Sequence, residues 1–132
     1  LYQGTKTIDN IESGLKPGGT LILIIEAREG GGPVEYFDWA KDLVAGTIEQ
    51  RLREHFTVAG YIFFLNCEQA QRYNILLYSS IAPEDVAPMG IKAFSDVNAL
   101  LDAAQLEGKS IYVIPNGSTV IPHVKEASKH EA

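Results

Sequence analysis

Two small groups of side chains in this 132-residue chain are spaced so that they could act together on a ligand. The first is Glu26-Ala27-Arg28-Glu29-Gly30, set directly after the aliphatic run Leu21 to Ile25. A guanidinium at Arg28 could clamp a carboxylate, and Glu26 could accept a hydrogen bond or hold Arg28 in place. The second is Gln3 and Lys6, three residues apart and so on one face of a helix. The ammonium of Lys6 could grip an anion while the amide of Gln3 orients it. Each group also has a plainer reading: a solvated Glu-Arg-Glu rim with glycines for turning, and two polar side chains facing water. The residues alone leave both open.

Other chemistries find less support. His55, His123 and His130 lie far apart and form no i, i+4 ligand pair, so a metal centre is not expected. The segment Asn116-Gly117-Ser118-Thr119-Val120 does not match the Gly-x-Ser-x-Gly elbow of a serine hydrolase. Gly30-Gly31-Gly32 is followed by Pro33, Val34 and Glu35, which breaks the dinucleotide fingerprint, and Glu26 and Glu29 beside it would repel phosphate.

These residues must be carried by a scaffold, and the scaffold reads as alternating strands and helices. Leu21 to Ile25 is too short for a core helix and follows a Pro-Gly-Gly turn, so it reads as a strand buried on both faces and central in its sheet. In open α/β sheets ligands collect outside the carboxyl ends of strands, which places the Glu26 loop at the first position to inspect. Upstream, Tyr2, Ile8, Ile11 and Leu15 fall at helical spacing. Downstream, Val34 to Val44 carries an apolar stripe ended by Gly46, and Thr47 with Gln50 forms the pattern of a capping box opening a helix through Phe56. Val58 to Gln71 reads as a largely buried helix, with strand as the competing reading for Tyr61 to Leu65. Asn74 to Ser79 and Ile91 to Phe94 read as strands, with a helical turn at Pro83 to Val86 between them. Ser95 caps a helix closed by Gly108, and Ile111 to Ile114 reads as a fourth strand. The expected fold is α/β: a three-layer Rossmann-like sandwich with a mainly parallel sheet of about four strands and helices on both faces. Residues 1–122 form one domain in this reading, and 123–132 a polar, frayed tail.

Composition narrows the partners. At 45% hydrophobic the chain can bury a core without staples. A formal charge of −6 with no Lys/Arg cluster argues against nucleic acid. Cys67 is the single cysteine, which excludes an internal disulfide and suits a reducing cytoplasm, with the thiol as core filler. No apolar run approaches the roughly 20 residues that cross a bilayer, so no membrane role is expected. The chain starts at Leu1 and runs straight into structured sequence, as a piece of a longer polypeptide would.

Taken in order, Leu1-Tyr2-Gln3-x-x-Lys6-x-x-Asp9-Asn10, then Lys16-Pro17-Gly18-Gly19-Thr20, the apolar strand, Glu26-Ala27-Arg28-Glu29-Gly30, and Ile114-Pro115-Asn116-Gly117-Ser118-Thr119-Val120-Ile121-Pro122 resemble the carboxy-terminal domain of the nickel-dependent lactate racemase family. The resemblance runs from residue 1 to about 122. It implies the substrate-side domain of a 2-hydroxyacid racemase or epimerase whose nickel-pincer nucleotide is held mainly by an amino-terminal domain absent from this chain. The fragment alone would then be inactive, with no catalytic or metal-binding residue of its own. Its partners would be that amino-terminal domain and a small 2-hydroxyacid. The resemblance further implies that Gln3 and Lys6 face the substrate across the cleft, Lys6 as a point charge for the carboxylate. The family also places a tryptophan near the substrate; the nearest aromatic here is Tyr61, after Gly60, whereas Trp39 lies in a stretch read as core. Tyr61 in that place would suit a larger hydroxyacid than lactate. Glu26, Arg28, Glu29 and Gly30 would lie at the interdomain surface or cofactor edge. Two further readings are a non-catalytic small-anion-binding regulatory domain and a structural or oligomerisation module built on Tyr61 to Phe64.

Overall fold

The computed structural model describes residues 4–27, 32 and 35–125. Gln3, Arg28, Glu29 and Gly30, and residues 126–132 of the expected tail, lie outside the described residues.

Three strands form one parallel sheet in the order β1 (Thr20–Ile24), β2 (Asn74–Tyr78), β3 (Lys92–Phe94). The central strand is therefore β2, not the Leu21 to Ile25 run. Its Ile75, Leu76 and Leu77 are buried on alternating faces, as expected for a strand flanked on both edges and covered on both sides. β1 pairs along one edge only, in the register Leu21↔Ile75 and Leu23↔Leu77. Its alternation sends Leu21, Leu23 and Ile25 into the main core and Ile22 into a smaller second core. Ile24, next along that second face, is 70% exposed, so β1 is not buried on both faces at its carboxyl end.

Helices cover both faces, which gives the three layers expected of an α/β sandwich. On the main-core side α1 (Lys6–Glu12) precedes β1, and the crossover from β1 to β2 carries α2 (Glu35–Asp38), α3 (Ala40–Ala45), α4 (Ile48–Glu54) and α5 (Val58–Arg72). α6 (Pro83–Val86) and a 3-10 turn at Ala87–Met89 join β2 to β3. On the other side α7 (Val97–Ala104) lays Leu100 and Ala104 against Leu76, with Ile22, Tyr78 and Phe94 around them. α5 is the longest element, and it starts where Thr57 Oγ1 accepts from the Gly60 N–H at 3.0 Å. Its interior face buries Phe63 and Cys67 among Ile8, Leu23, Tyr36, Trp39 and Ile75. Asn66 also lies inside, where it donates to the Tyr36 hydroxyl at 2.9 Å.

Several local expectations are corrected. Thr47 and Gln50 do not form a capping box: Thr47 makes no side-chain cap bond to its helix, its Oγ1 donating to Asp42 Oδ1 at 3.5 Å, while Gln50 Nε2 donates to Glu54 Oε1 at 3.0 Å. The cap of α7 is Asp96, one residue beyond Ser95, accepting from the Asn98 N–H at 3.2 Å. The sheet has three strands among the described residues rather than about four. Residues 111–114 have no strand pairing, and Tyr112 and Val113 are 88% and 84% exposed. β-branched and aromatic residues favour a pleated surface, but this segment pairs with neither outer edge of the sheet, β1 or β3.

Candidate functional site

β1 and β2 end side by side, and the ladder continues one step beyond them, with the Ile25 N–H donating to Tyr78 O at 3.1 Å and the Ser79 N–H to Phe94 O at 3.2 Å. Ser80 Oγ then donates to the Glu26 backbone carbonyl at 2.8 Å, tying the two strand ends together. At Ala27 the backbone turns with φ 47°, a left-handed conformation that an alanine adopts only where its surroundings hold it. The result is an open concavity of about 380 Å³ outside the carboxyl ends of the strands, lined by Ile24, Ile25, Glu26, Tyr78, Ser79, Ser80 and Ser95. This is the position anticipated for the Glu26 junction. Its walls are mainly apolar. Its polar residues are Ser79, Ser80, Ser95, the phenol-bearing Tyr78 and the acidic Glu26, without a cation among the described lining residues. Ser79 is buried and its Oγ accepts from the Ile81 N–H at 3.3 Å.

The other candidates sit on the helical layer. Lys6 is an exposed residue in the first turn of α1. The carboxyl end of that helix is fixed at the amino ends of the strands: Glu12 pairs with Arg72 at 2.8 Å and accepts from Tyr73 Oη at 3.5 Å, both residues immediately before β2. Gln69 Nε2 donates to Asp9 Oδ1 at 2.5 Å and to Glu12 Oε2 at 3.2 Å, so α1 lies beside the last turns of α5. Lys6 stands six residues before Glu12, about 9 Å along α1 from that anchor.

Tyr61 is in the first turn of α5, 45% exposed, with its ring 5.9 Å from that of Phe56. It lies eight residues before Gln69, or about 12 Å along a helix whose carboxyl end leads directly into β2. Lys6 and Tyr61 therefore lie on neighbouring helices with no hydrogen bond or ring contact between them among the described residues. Glu26 belongs to the strand-end concavity instead. Gln3, Arg28, Glu29 and Gly30 fall outside the described residues.

The aromatic stretch itself is divided. Phe63 is fully buried, and Ile62 and Phe64 pack against the main core, leaving Tyr61 with Phe56 and Val58 at the surface. A contiguous association face built on Tyr61 to Phe64 does not exist. Trp39 is core, as its pattern predicts, 1% exposed and with the Arg51 guanidinium 4.2 Å above its ring.

Among the described residues no group of three or more His, Cys, Asp or Glu side chains is placed to hold an ion. The Cys67 thiol is buried, and loss of solvation, with a lesser contribution from Glu68, pushes its pKa up to about 12. It stays protonated at neutral pH, which suits neither a nucleophile nor a metal ligand. Tyr36 is likewise held neutral by burial, despite the opposing hydrogen bond from Asn66. No helix among the described residues is long and apolar enough to cross a membrane.

No family model matches the chain, and no curated protein matches it by sequence. Its fold matches a solved structure, the lactate racemase apoprotein from Thermoanaerobacterium thermosaccharolyticum, with a TM-score of 0.74 over 92% of this chain at 22% identity. The chain shares the fold of part of lactate racemase. It spans 31% of the length of that protein.

Sequence reasoning missed the serine trio that lines the concavity. Ser79 and Ser80 follow the apolar run of β2 directly, which is a readable signal for hydroxyls at a strand end. Ser95 joins them only through the parallel pairing of β2 with β3.

Proposed function

We propose that this chain is the substrate-side domain of a lactate racemase-like isomerase acting on a 2-hydroxyacid, and that it works only as part of a longer cytoplasmic polypeptide. The observation that carries the reading is the shared fold, and an exposed lysine in the first turn of α1 is compatible with it. Among the described residues no group of three or more potential ligands is placed to hold an ion, and in this reading a nickel-pincer nucleotide would be held mainly by the amino-terminal part of that polypeptide. This domain supplies binding and orientation. In this reading the Lys6 ammonium attracts the hydroxyacid carboxylate as a point charge, and Gln3 donates a hydrogen bond to the carboxylate or to a bridging water. Tyr61, with Phe56 and Val58, offers an amphipathic rim to the opposing domain. In this reading Glu26, at the strand-end concavity, belongs to the edge turned to that domain.

The strand-end concavity favours a second reading, in which the chain binds a small metabolite by itself in a regulatory role. Titration calorimetry of the isolated chain separates the two. A half-site gives no measurable heat with lactate, larger 2-hydroxyacids or nucleotides up to millimolar concentration; saturable binding of any of them by the isolated chain supports the regulatory reading instead.

A further inference from the structure

α1 is seven residues long, and Ile8 is its buried residue. A helix this short does not hold itself in water. Two sets of contacts hold it from outside, on two different stripes. Asp9 and Glu12 face α5 through Gln69 and the Arg72 pair. Thr7, Asn10, Ser13 and Gly14 face the late segment 115–122, which returns across the molecule after the exposed run 111–113.

That second contact is closely fitted. Asn10 Nδ2 donates to Ser118 O at 2.9 Å and to Gly117 O at 3.4 Å, and Ser13 Oγ donates to Pro122 O at 2.9 Å. The segment folds into a 3-10 turn at Gly117–Thr119, closed by the Thr119 N–H and Oγ1, each donating to Asn116 O at 3.0 Å. Two glycines stand where the backbones meet. A Cβ on Gly117 would lie 2.5 Å from the Thr7 methyl, and one on Gly14 would lie 2.8 Å from Cγ of Pro122. Neither glycine has a positive φ, so what each position demands is space rather than conformation.

We propose that residues 115–122 act as a strap that fixes the register of α1 and so positions Lys6. Asn10 lies four residues after Lys6 and therefore on the same side of the helix, one turn below it. The helix cannot rotate or slide at Lys6 without breaking the bonds from Asn10 to the strap. Asn10, Ser13, Gly14 and Gly117 are thus positioning residues; none of them is assigned a contact with substrate. The role given to Lys6 rests on the racemase reading above, whereas the grip of the strap on α1 does not.

The test is a suppressor pair. Gly117→Ala drives a methyl into the Thr7 side chain, and Thr7→Ser removes the atom it meets, leaving the next nearest atoms of that side chain at 3.8 Å. In this chain, hydrogen exchange of the α1 amides should rise about tenfold in Gly117→Ala relative to the amides of α5, and return to the parent rate in the double variant. In the full-length polypeptide, Gly117→Ala should raise KM for the hydroxyacid roughly tenfold with kcat within about twofold, and the double variant should restore it. Unchanged exchange, or exchange that Thr7→Ser fails to restore, overturns the strap. Restored exchange with an unmoved KM, while Lys6→Ala remains severely impaired, overturns the positioning role and leaves the racemase reading standing. If Lys6→Ala is itself silent, the racemase reading falls while the exchange data still judge the grip on α1.

Discussion

Replacing Lys6 by alanine in the full-length polypeptide should lower kcat/KM for the hydroxyacid by about a hundredfold or more, equivalent to roughly 2.7 kcal/mol of lost transition-state binding. Lys6 is exposed in the first turn of α1, so its truncation removes no core contact and the fold should persist, with far-ultraviolet circular dichroism and melting temperature unchanged. An isolated surface charge would contribute little to stability. A charge facing a bound carboxylate across a closed cleft is a different case, because water is excluded and the interaction strengthens. Lys6→Arg should recover only part of the loss, since a planar fork does not replace a compact ammonium at the same distance. Steady-state kinetics of the three proteins side by side provide the check, and a Lys6→Ala enzyme with parental kinetics would remove Lys6 from the site.

Gly60→Ala should destabilise the chain by about 2 kcal/mol, a fall in melting temperature of roughly 8 °C. Helix propensity alone predicts the opposite sign, because alanine at a helical glycine gains up to about 1 kcal/mol. Packing decides the matter. A Cβ at Gly60 would lie 2.3 Å from Cε2 and 2.4 Å from Cζ2 of Trp39, and the tryptophan has no room to retreat at 1% exposure beneath Arg51. The ring must tilt or α5 must shift at its first turn, where Thr57 caps it through the N–H of this same glycine. Trp39 is the single tryptophan, so its fluorescence reports the disturbance directly: emission should move to longer wavelength in the variant. A melting temperature equal to or above that of the parent would show that the ring accommodates the methyl. Because Gly60 opens the helix bearing Tyr61, the same close approach fixes where that aromatic leaves the surface.

The elements whose interior is decided by their own sequence were legible in it. α5 is an example: polar Asn66, Glu68, Gln69 and Gln71 interrupt an apolar run at helical intervals, and the helix spans Val58–Arg72. The turn at Pro83–Val86 was equally plain, because proline is preset for a first helical position. The α/β class with a parallel sheet and helices on both faces followed from the order of these elements. What the residues do not carry is the identity of their neighbours. Leu21 to Ile25 reads the same whether the strand is central or at an edge; only the exposure of Ile24 and the pairing of β2 on both sides reveal that β2 holds the centre. Ile111 to Ile114 has strand chemistry yet pairs with neither outer edge of the sheet.

The same distinction governs the site. The concavity at the strand ends was legible because an apolar strand followed by Glu26 must end somewhere, and parallel sheets gather their ends on one side. Its serines were not, since Ser95 meets Ser79 and Ser80 only through register. The fit of segment 115–122 against α1 joins residues more than a hundred positions apart, and in the sequence Asn10 and Gly117 show nothing of one another. Lys6 was visible as a charge on a helix, whereas the anchoring of that helix through Glu12 beside Arg72 and Tyr73 was not.

The most direct test of the proposed interconversion of 2-hydroxyacid enantiomers is to supply the full-length polypeptide, purified with its cofactor, with a single enantiomer of lactate or a larger 2-hydroxyacid and follow the mirror-image product by chiral chromatography. The account predicts that the opposite enantiomer accumulates toward an equal mixture from either starting side. Absence of the second enantiomer with every hydroxyacid tried, from a preparation shown to carry its cofactor, would contradict it.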